Sequence, residues 1–348
     1  MFIYLHGNVT SQQIQRVKDE AINAGFTQAF ESKGQEIVVV NCIGAVPHER
    51  KLELQEFFMT LPGVSGTQLA KTPFRLTARG SHPENFSVAL NGIKIGGKPI
   101  VVIAGPCAVE SEAQILATAK AVKAAGASML RGGAFKPRTS RFSFQGLGED
   151  GLRLLALARE QTGLPVVTEV MSPDKIDLVC QYVDILQVGA RNMKNYDLLK
   201  ALGQVKKPVI LKRGDSASIN DLLLAAEYIV AEGNERVIIC LRGVLGFDHD
   251  YTRNISDIDA IPVIKGLSHH PVIFDPSHAT GNRDLIMPMA LAAVAAGADG
   301  LMVEVHPKPA TALSDGPQSL TPDMFVDLMR QVKRVAHAIG RLTPKNKE

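Results

Sequence analysis

Reactive side chains recur along this chain at one kind of position, just after a short apolar run. Cys107 follows Ile100–Ala104, and Arg131, Lys136 and Arg138 follow Ser128–Leu130. Glu169, Arg191, Lys212 with Arg213, Arg242, Asp275 with His278, and Glu304 with His306 follow Val166–Thr168, Ile185–Val188, Val209–Leu211, Val237–Cys240, Val272–Phe274 and Leu301–Val303 in turn. Two kinds of chemistry are open to this set. The cations Arg131, Lys136, Arg138, Arg191, Lys212 and Arg242 suit phosphate and carboxylate, arginine through its planar fork and lysine as a point charge. Gathered without counter-ions they would repel one another, so a doubly anionic substrate load would compensate them. Lys136-Pro137-Arg138-Thr139-Ser140 places two cations and two hydroxyls in five residues, a composition suited to gripping a phosphate. Cys107, His278, Glu304 and Asp315 offer a thiolate, an imidazole and two carboxylates, a donor set for divalent Mn, Fe, Co or Zn. Each residue alone has a plainer reading. A free cysteine is often a small core residue, a histidine can cap a turn, and a basic residue after a strand is often a solvated loop charge. Agreement across successive runs favours chemistry. His306 and Asp275 are candidates for supporting ligands or handling protons, whereas His249, His269 and His270 read as loop histidines.

The runs themselves say what positions these groups. Helical stretches such as Ala113–Ala125 and Asp221–Ala231 separate them. Strands alternating with helices make a parallel sheet covered on both faces. Eight such units over about 250 residues match an α/β fold of the (β/α)8 TIM-barrel type, which gathers the C-terminal ends of all its strands on one rim. No GxGxxG follows the first run, which weakens a dinucleotide-binding sheet. Residues 1–70 read differently, as βαββαβ. Phe2–Leu5 is a strand, and Thr10 or Ser11 caps a helix with Ile14, Val17, Ala21 and Ile22 on its apolar face. Phe26–Phe30 and Glu36–Ile43 flank a turn at Ser32-Lys33-Gly34. A second helix carries Leu52, Phe57, Phe58 and Leu61, and Val64–Ala70 closes the unit. That order is the ferredoxin-like plan, usable for packing or dimerisation or for sensing a small molecule. Residues 71–85 are polar with two prolines and read as a linker, after which residues 86–348 form the barrel. A hairpin of Phe86–Ala89 and Ile93–Ile95 about Asn91-Gly92 opens it.

Composition narrows the function classes. The 348 residues suggest about two domains. Lys+Arg 38 against Asp+Glu 35 leaves a net charge of +3, no basis for coating nucleic acid or anchoring to an anionic membrane. Aromatics are 5% and tryptophan is absent, which weighs against base stacking. The four cysteines form no CxxC pair, which points to a reducing compartment. MFIYLHGNVTS lacks the basic and apolar regions of a secretory signal. Met287–Val303 is interrupted by Pro288, Gly297, Asp299 and Gly300 and is too short to span a bilayer. These features predict a soluble cytoplasmic protein with small-molecule partners.

Several motifs occur together and in order: Gly105-Pro106-Cys107, the run from Arg131 through Ser140 (RGGAFKPRTS), Gly189-Ala190-Arg191-Asn192, Leu211-Lys212-Arg213-Gly214, Asp275-Pro276-Ser277-His278 and Val303-Glu304-Val305-His306-Pro307. With them the chain resembles, over nearly its whole length, 3-deoxy-D-arabino-heptulosonate 7-phosphate (DAHP) synthases of the type I beta subgroup. These carry an N-terminal ferredoxin-like, ACT-like domain. The resemblance implies a transferase that condenses phosphoenolpyruvate with erythrose 4-phosphate and releases phosphate, the first step of the shikimate pathway to aromatic amino acids. It implies a divalent metal on Cys107, His278, Glu304 and Asp315, polarising the aldehyde that carbon 3 of phosphoenolpyruvate attacks. Phosphoenolpyruvate would lie on Arg131, Lys136, Arg191, Lys212 and Arg242, and erythrose 4-phosphate on Arg138, Thr139 and Ser140. Lys136 and His278 are the candidates for proton transfer, and Cys107 acts in catalysis through the metal. The resemblance further implies a homo-oligomer, a tetramer in many relatives, and feedback inhibition by phenylalanine or tyrosine at a site including Phe30 and Ser32. Phe30 and Glu31 stand where regulated relatives can carry a histidine and an aliphatic residue, which makes phenylalanine at least as good a candidate as tyrosine.

Other readings remain at this stage. 3-Deoxy-D-manno-octulosonate 8-phosphate synthase uses arabinose 5-phosphate on the same barrel, but typically with a KANRSS-like segment in place of KPRTS and without the GARN arginine. A Schiff-base aldolase would need a desolvated Lys212. A non-catalytic sensor with a dead barrel conflicts with the complete set of ligands and cations. Thr252-Arg253-Asn254 also matches a family segment, with no physical role evident from the sequence.

Overall fold

The computed structural model describes residues 1–34, 36–84, 86–138 and 140–342, so Thr139 of the expected phosphate grip lies outside the described residues. The chain divides into two compact units, Met1–Phe86 with Gly266–His269, and Ser87–Lys265 with His270–Glu348.

The smaller unit runs β1 (Phe2–His6), α1 (Ser11–Asn23), β2 (Gln28–Lys33), β3 (Ile37–Ile43), α2 (His48–Met59) and β4 (Val64–Gln68). Its sheet has the order β2-β3-β1-β4 with every pairing antiparallel, the ferredoxin-like arrangement. Strand alternation divides β3. Val38, Val40 and Cys42 join Ile3 and Leu5 of β1 in the helix-covered core, so Val39 and Asn41 take the opposite face. Thr10 caps α1 through a reciprocal bond pair with Gln13, and Ile14, Val17 and Ala21 are buried. Ile22 falls off that stripe and is 47% exposed. On α2 the apolar residues divide between core and surface. Leu54 and Phe58, one helical turn apart, are buried, whereas Leu52 and Phe57 are exposed and Leu61 lies past the helix end. Ser32 and Lys33 belong to β2 rather than to the turn, because their backbones pair with Val39 and Val38. Phe74, Leu76 and Ala78, inside the segment that reads as polar, belong to this unit and are buried.

The larger unit opens with the hairpin β5 (Val88–Leu90) and β6 (Ile93–Ile95). Asn91 and Gly92 both have positive φ, 47° and 80°, as a two-residue type I′ turn requires. Eight parallel strands follow: β7 (Val101–Gly105), β8 (Met129–Arg131), β9 (Val166–Glu169), β10 (Ile185–Val188), β11 (Val209–Lys212), β12 (Val237–Leu241), β13 (Val272–Phe274) and β14 (Gly300–Glu304). Each expected run is a strand, and β14 pairs with β7 to close the barrel. Around them lie α3 (Glu112–Ala124), α4 (Glu149–Thr162), α5 (Ile176–Tyr182), α6 (Tyr196–Gly203), α7 (Ile219–Ala231), α8 (Ala260–Leu267), α9 (Pro276–Thr280), α10 (Arg283–Ala295) and α11 (Pro322–Ala338). Side chains of Ser111, Ser218 and Thr321 accept backbone N–H bonds at the starts of α3, α7 and α11. Among the described residues no helix is long and apolar enough to cross a membrane. Several strands run farther than their apolar runs. Arg131, Glu169, Lys212 and Glu304 are therefore the last residues of strands, held by the sheet ladder rather than by loops.

Candidate active site

Four elements bring the expected metal donors together. Cys107 follows β7 on a segment tied to the end of β8, where Gly133 N donates to Cys107 O at 3.1 Å and Val109 N to Gly133 O at 2.9 Å. Glu304 ends β14. Asp315 lies between β14 and α11 with φ +53°, a left-handed conformation that aspartate tolerates better than most residues. Donor atoms of Cys107, Glu304 and Asp315 all lie within 4.8 Å of one another, and Cys107 Sγ is 3.0 Å from Asp315 Oδ2. His278, on α9, brings Nε2 to 3.5 Å from Glu304 Oε1.

Asp275 orients that imidazole. Its Oδ1 accepts from His278 N at 2.9 Å and caps α9, while Oδ2 lies 2.7 Å from His278 Nδ1. A carboxylate can only accept there, so Nδ1 carries the proton and Nε2 is left as a ligand atom. Asp275 Oδ2 also accepts from Lys212 Nζ at 2.5 Å. Burial pushes the Cys107 thiol up to about 12, with the Glu304 charge adding to it. Burial acts to raise Glu304 as well, but the His278 and Arg131 charges hold its carboxyl below the usual value. Asp315 is likewise held low against burial, by the Cys107 hydrogen bond and the charges of His278 and Lys136. Sulfur, imidazole and two carboxylates converging in a buried pocket fit a borderline divalent metal. The Lys136 ammonium, 2.9 Å from the sulfur, supplies positive charge beside these donors.

Above this cluster a cavity of about 410 Å³ opens at the strand ends. Lys136, Arg138, Ser140, Arg191, Lys212 and Arg242 line it together with His278 and Asp315. Arg131 lies outside this group. It is 5% exposed, pairs with Glu304 at 2.7 Å, and shares a small adjoining cavity with Lys136, Glu169 and Gln187. Losing one partner of such a buried pair strands a charge, at a cost of about 3–5 kcal/mol. Lys136 Nζ also donates to Cys107 O at 3.0 Å. Arg191 Nη1 donates to Pro137 O at 2.8 Å, which draws it across toward the phosphate-grip segment. Arg138 Nε donates to Phe144 O at 3.0 Å, whereas its buried Nη2 has no partner among the described residues. Ser140 is exposed and its Oγ accepts from Phe142 N at 3.3 Å. Arg242 is 6% exposed, and burial, then the neighbouring Arg253 charge, pulls its guanidinium below its ordinary value. Arg213, adjacent to Lys212 in sequence, turns away to Asp257 and Ala217 O.

Some participants had no signal in the sequence. Gln318 Nε2 donates to Glu304 Oε2 at 2.7 Å, and Asp215 lines the cavity. Attention to charges at strand ends passes over a neutral glutamine on a distant loop. His306 is buried, with Nε2 3.3 Å from Glu110 Oε2 and Nδ1 accepting from Lys308 N. His269 and His270 lie in the loop between α8 and β13, as expected, but both are buried there, at 3% and 2% exposure. The His269 ring packs 4.4 Å from that of His82 within the smaller unit. Also in that unit, Phe30 is half-buried and Ser32 is buried, with Ser32 Oγ accepting from Asn41 Nδ2 at 2.9 Å.

Comparison with known proteins agrees with this geometry. Residues 78–341 match the DAHP synthetase I family. The chain is 42% identical over 340 residues to the phospho-2-dehydro-3-deoxyheptonate aldolase of Thermotoga maritima, covering 98% of this chain and 99% of that protein. A 2-dehydro-3-deoxyphosphooctonate aldolase of Acidithiobacillus ferrooxidans is 35% identical over 259 residues, spanning 69% of this chain and 91% of its own length. The crystal structure of the Thermotoga maritima DAHP synthase matches with a TM-score of 0.78 at 42% identity, covering 99% of both chains. A truncated form of that synthase matches with a TM-score of 0.72 at 43% identity, covering 77% of this chain and 98% of its own.

Proposed function

Because this chain belongs to the DAHP synthetase I family and its activity is DAHP synthesis, we propose that phosphoenolpyruvate and erythrose 4-phosphate react in the 410 Å³ cavity at the barrel rim. The observation that carries this assignment is the concentration of cations in that lining. Arg242 is buried with no ion pair among the described residues, and Arg138 Nη2 has no hydrogen-bond partner among them, in a cavity that His278 and Asp315 also line. Desolvated guanidinium groups of this kind are relieved by phosphate or carboxylate.

Phosphoenolpyruvate is assigned to Arg131, Lys136, Arg191, Lys212 and Arg242, and the erythrose phosphate to Arg138, Thr139 and Ser140. Cys107, His278, Glu304 and Asp315 would hold a divalent cation of the Mn, Fe, Co or Zn class. A metal bound there supplies Lewis acidity toward the aldehyde oxygen. The cations hold the two anions together despite their repulsion, so that carbon 3 of phosphoenolpyruvate meets the aldehyde carbon. As the new C–C bond forms, the aldehyde oxygen takes a proton, for which Lys136, 2.9 Å from Cys107 Sγ, is the assigned donor. Water then adds at the cationic carbon 2 and loses its protons, and cleavage of the bond between carbon 2 and the bridging oxygen of the phosphate releases phosphate and leaves the ketone. Arg242 and Arg191 stabilise the departing charge. Asp275 keeps His278 in one tautomer throughout, and its bond to Lys212 opposes use of that lysine as a Schiff-base amine.

The smaller unit is proposed as the site for a phenylalanine or tyrosine effector near Phe30 and Ser32. Asn41, which faces Phe30 in the β2–β3 register and donates to Ser32, has a buried Oδ1 with no partner among the described residues. An amino-acid ammonium group would satisfy it. We further propose that the enzyme works as a homo-oligomer and in the cytoplasm, the latter supported by four unpaired cysteines.

The test is phosphate release from phosphoenolpyruvate with erythrose 4-phosphate or arabinose 5-phosphate, with and without chelator. Turnover with erythrose 4-phosphate, abolished by chelation and restored by Mn, is the expected result. Preference for arabinose 5-phosphate, or full activity after metal removal, rejects the acceptor or the metal assignment respectively.

A further inference from the structure

The reaction as assigned leaves Thr252-Arg253-Asn254 unused, yet this segment meets the donor cluster at three points. The short helix α9 carries His278 and ends without intrahelical partners for its last carbonyls. Arg253 N donates to Thr280 O at 2.8 Å, and Asn254 N to Ala279 O at 3.0 Å. Asn254 Nδ2, on a side chain buried to 3% exposure, donates to His278 O at 3.0 Å. Three successive carbonyls are thus taken by two residues. The segment is itself anchored where Val244 and Ile255 exchange backbone hydrogen bonds of 2.9 Å. It runs so close to α9 that a Cβ on Gly281 would lie 2.6 Å from Arg253 Cβ.

The Arg253 side chain reaches the other two points. Nη1 donates to Gln318 Oε1 at 3.2 Å and stands 3.9 Å from Asp315 Oδ1. With its oxygen occupied by Arg253, Gln318 presents its amide N–H to Glu304 Oε2 at 2.7 Å. One guanidinium therefore constrains both carboxylates, directly at Asp315 and through Gln318 at Glu304.

We propose that Arg253 and Asn254 are positioning residues that hold three of the four candidate metal ligands, His278, Asp315 and Glu304, in their converging geometry. The inference rests on the metal reading above. Partners of this kind set metal affinity without touching the ion, and their loss typically weakens binding about 10–100-fold.

The experiment titrates Mn into metal-free wild type, Arg253→Ala, Arg253→Lys and Asn254→Asp, with far-UV circular dichroism as the check on folding. Cobalt-loaded protein adds a spectrum, because its sulfur-to-cobalt band reports on the donor set around Cys107. The expected result is a Mn dissociation constant raised about 10–100-fold in Arg253→Ala and in Asn254→Asp. Arg253→Lys recovers part of the loss, because it keeps a charge near Asp315 without the fork that also reaches Gln318. An altered cobalt spectrum is expected in Arg253→Ala. If Arg253→Ala fails to fold, Arg253→Gln and Asn254→Asp carry the same comparison. Unchanged Mn affinity and cobalt spectrum in the variants overturn the proposal while leaving the metal reading intact. If the only change is a higher KM for a phosphorylated substrate at saturating Mn, Arg253 is a substrate ligand and the proposal also fails. A wild-type chain that binds no Mn overturns the metal reading itself.

Discussion

Each basic residue at the rim is defined by whether the protein supplies its counter-ion. Arg131 and Lys212 already pair with Glu304 and Asp275 at 2.7 and 2.5 Å, so they tie the site together as well as facing substrate. Among the described residues Arg138 Nη2 has no partner and Arg242 forms no ion pair, so both can take an anion. This difference gives Arg138→Ala a one-sided expected effect. A charge-assisted hydrogen bond is worth roughly 1.5–3 kcal/mol, which corresponds to about a ten- to hundredfold rise in KM for erythrose 4-phosphate. The KM for phosphoenolpyruvate should move far less, and steady-state kinetics with each substrate varied in turn make the comparison. Equal effects on both reject the assigned grip. The identity of these residues was legible in the sequence because apolar runs mark strand ends and the chemistry follows them. Their pairing was not, since Glu304 is 173 positions from Arg131 and only the closed barrel makes them neighbours.

Among the elements, the barrel strands were readable because a fully buried parallel strand is a continuous apolar run. The extensions of β8, β9, β11 and β14 were not, since Arg131, Glu169, Lys212 and Glu304 carry charges that are affordable only where partners meet them. The buried face of α2 was not legible for the same reason. Phe57 and Leu52 are as apolar as Phe58 and Leu54, and the sheet beneath selects which pair is covered. Close backbone approach is the other feature hidden from one-dimensional reading. A Cβ at Gly105 would lie 2.0 Å from Arg131 O, where β7 gives way to the Cys107 segment. Gly105→Ala should therefore force β7 and β8 apart, at about 1–3 kcal/mol or more. The expected readout is a lowered thermal midpoint together with weakened Mn binding, because Cys107 and Arg131 move with those strands. Unchanged stability and metal affinity would show that the strands accommodate the methyl group.

For the whole molecule, a net charge of +3 conceals a strongly cationic barrel rim balanced by acidic residues elsewhere. The division of labour is tested by removing the smaller unit's βαββαβ portion. A chain beginning at Ser81 should retain DAHP synthesis and lose inhibition by phenylalanine and tyrosine, measured by phosphate release across effector concentrations. Undiminished inhibition by both amino acids would reject the smaller unit as the sensor. The amino-acid sequence by itself determined the order of elements, the two architectures and the kinds of chemistry available. Those properties follow from periodicities of two and 3.6 residues, and from side-chain types, which are local. Tertiary structure alone decided which cations are internally neutralised, and that Arg253 and Gln318 stand behind the carboxylates. Such relations depend on distances of 2.5 to 3.9 Å between residues far apart in the chain, and no local pattern encodes them.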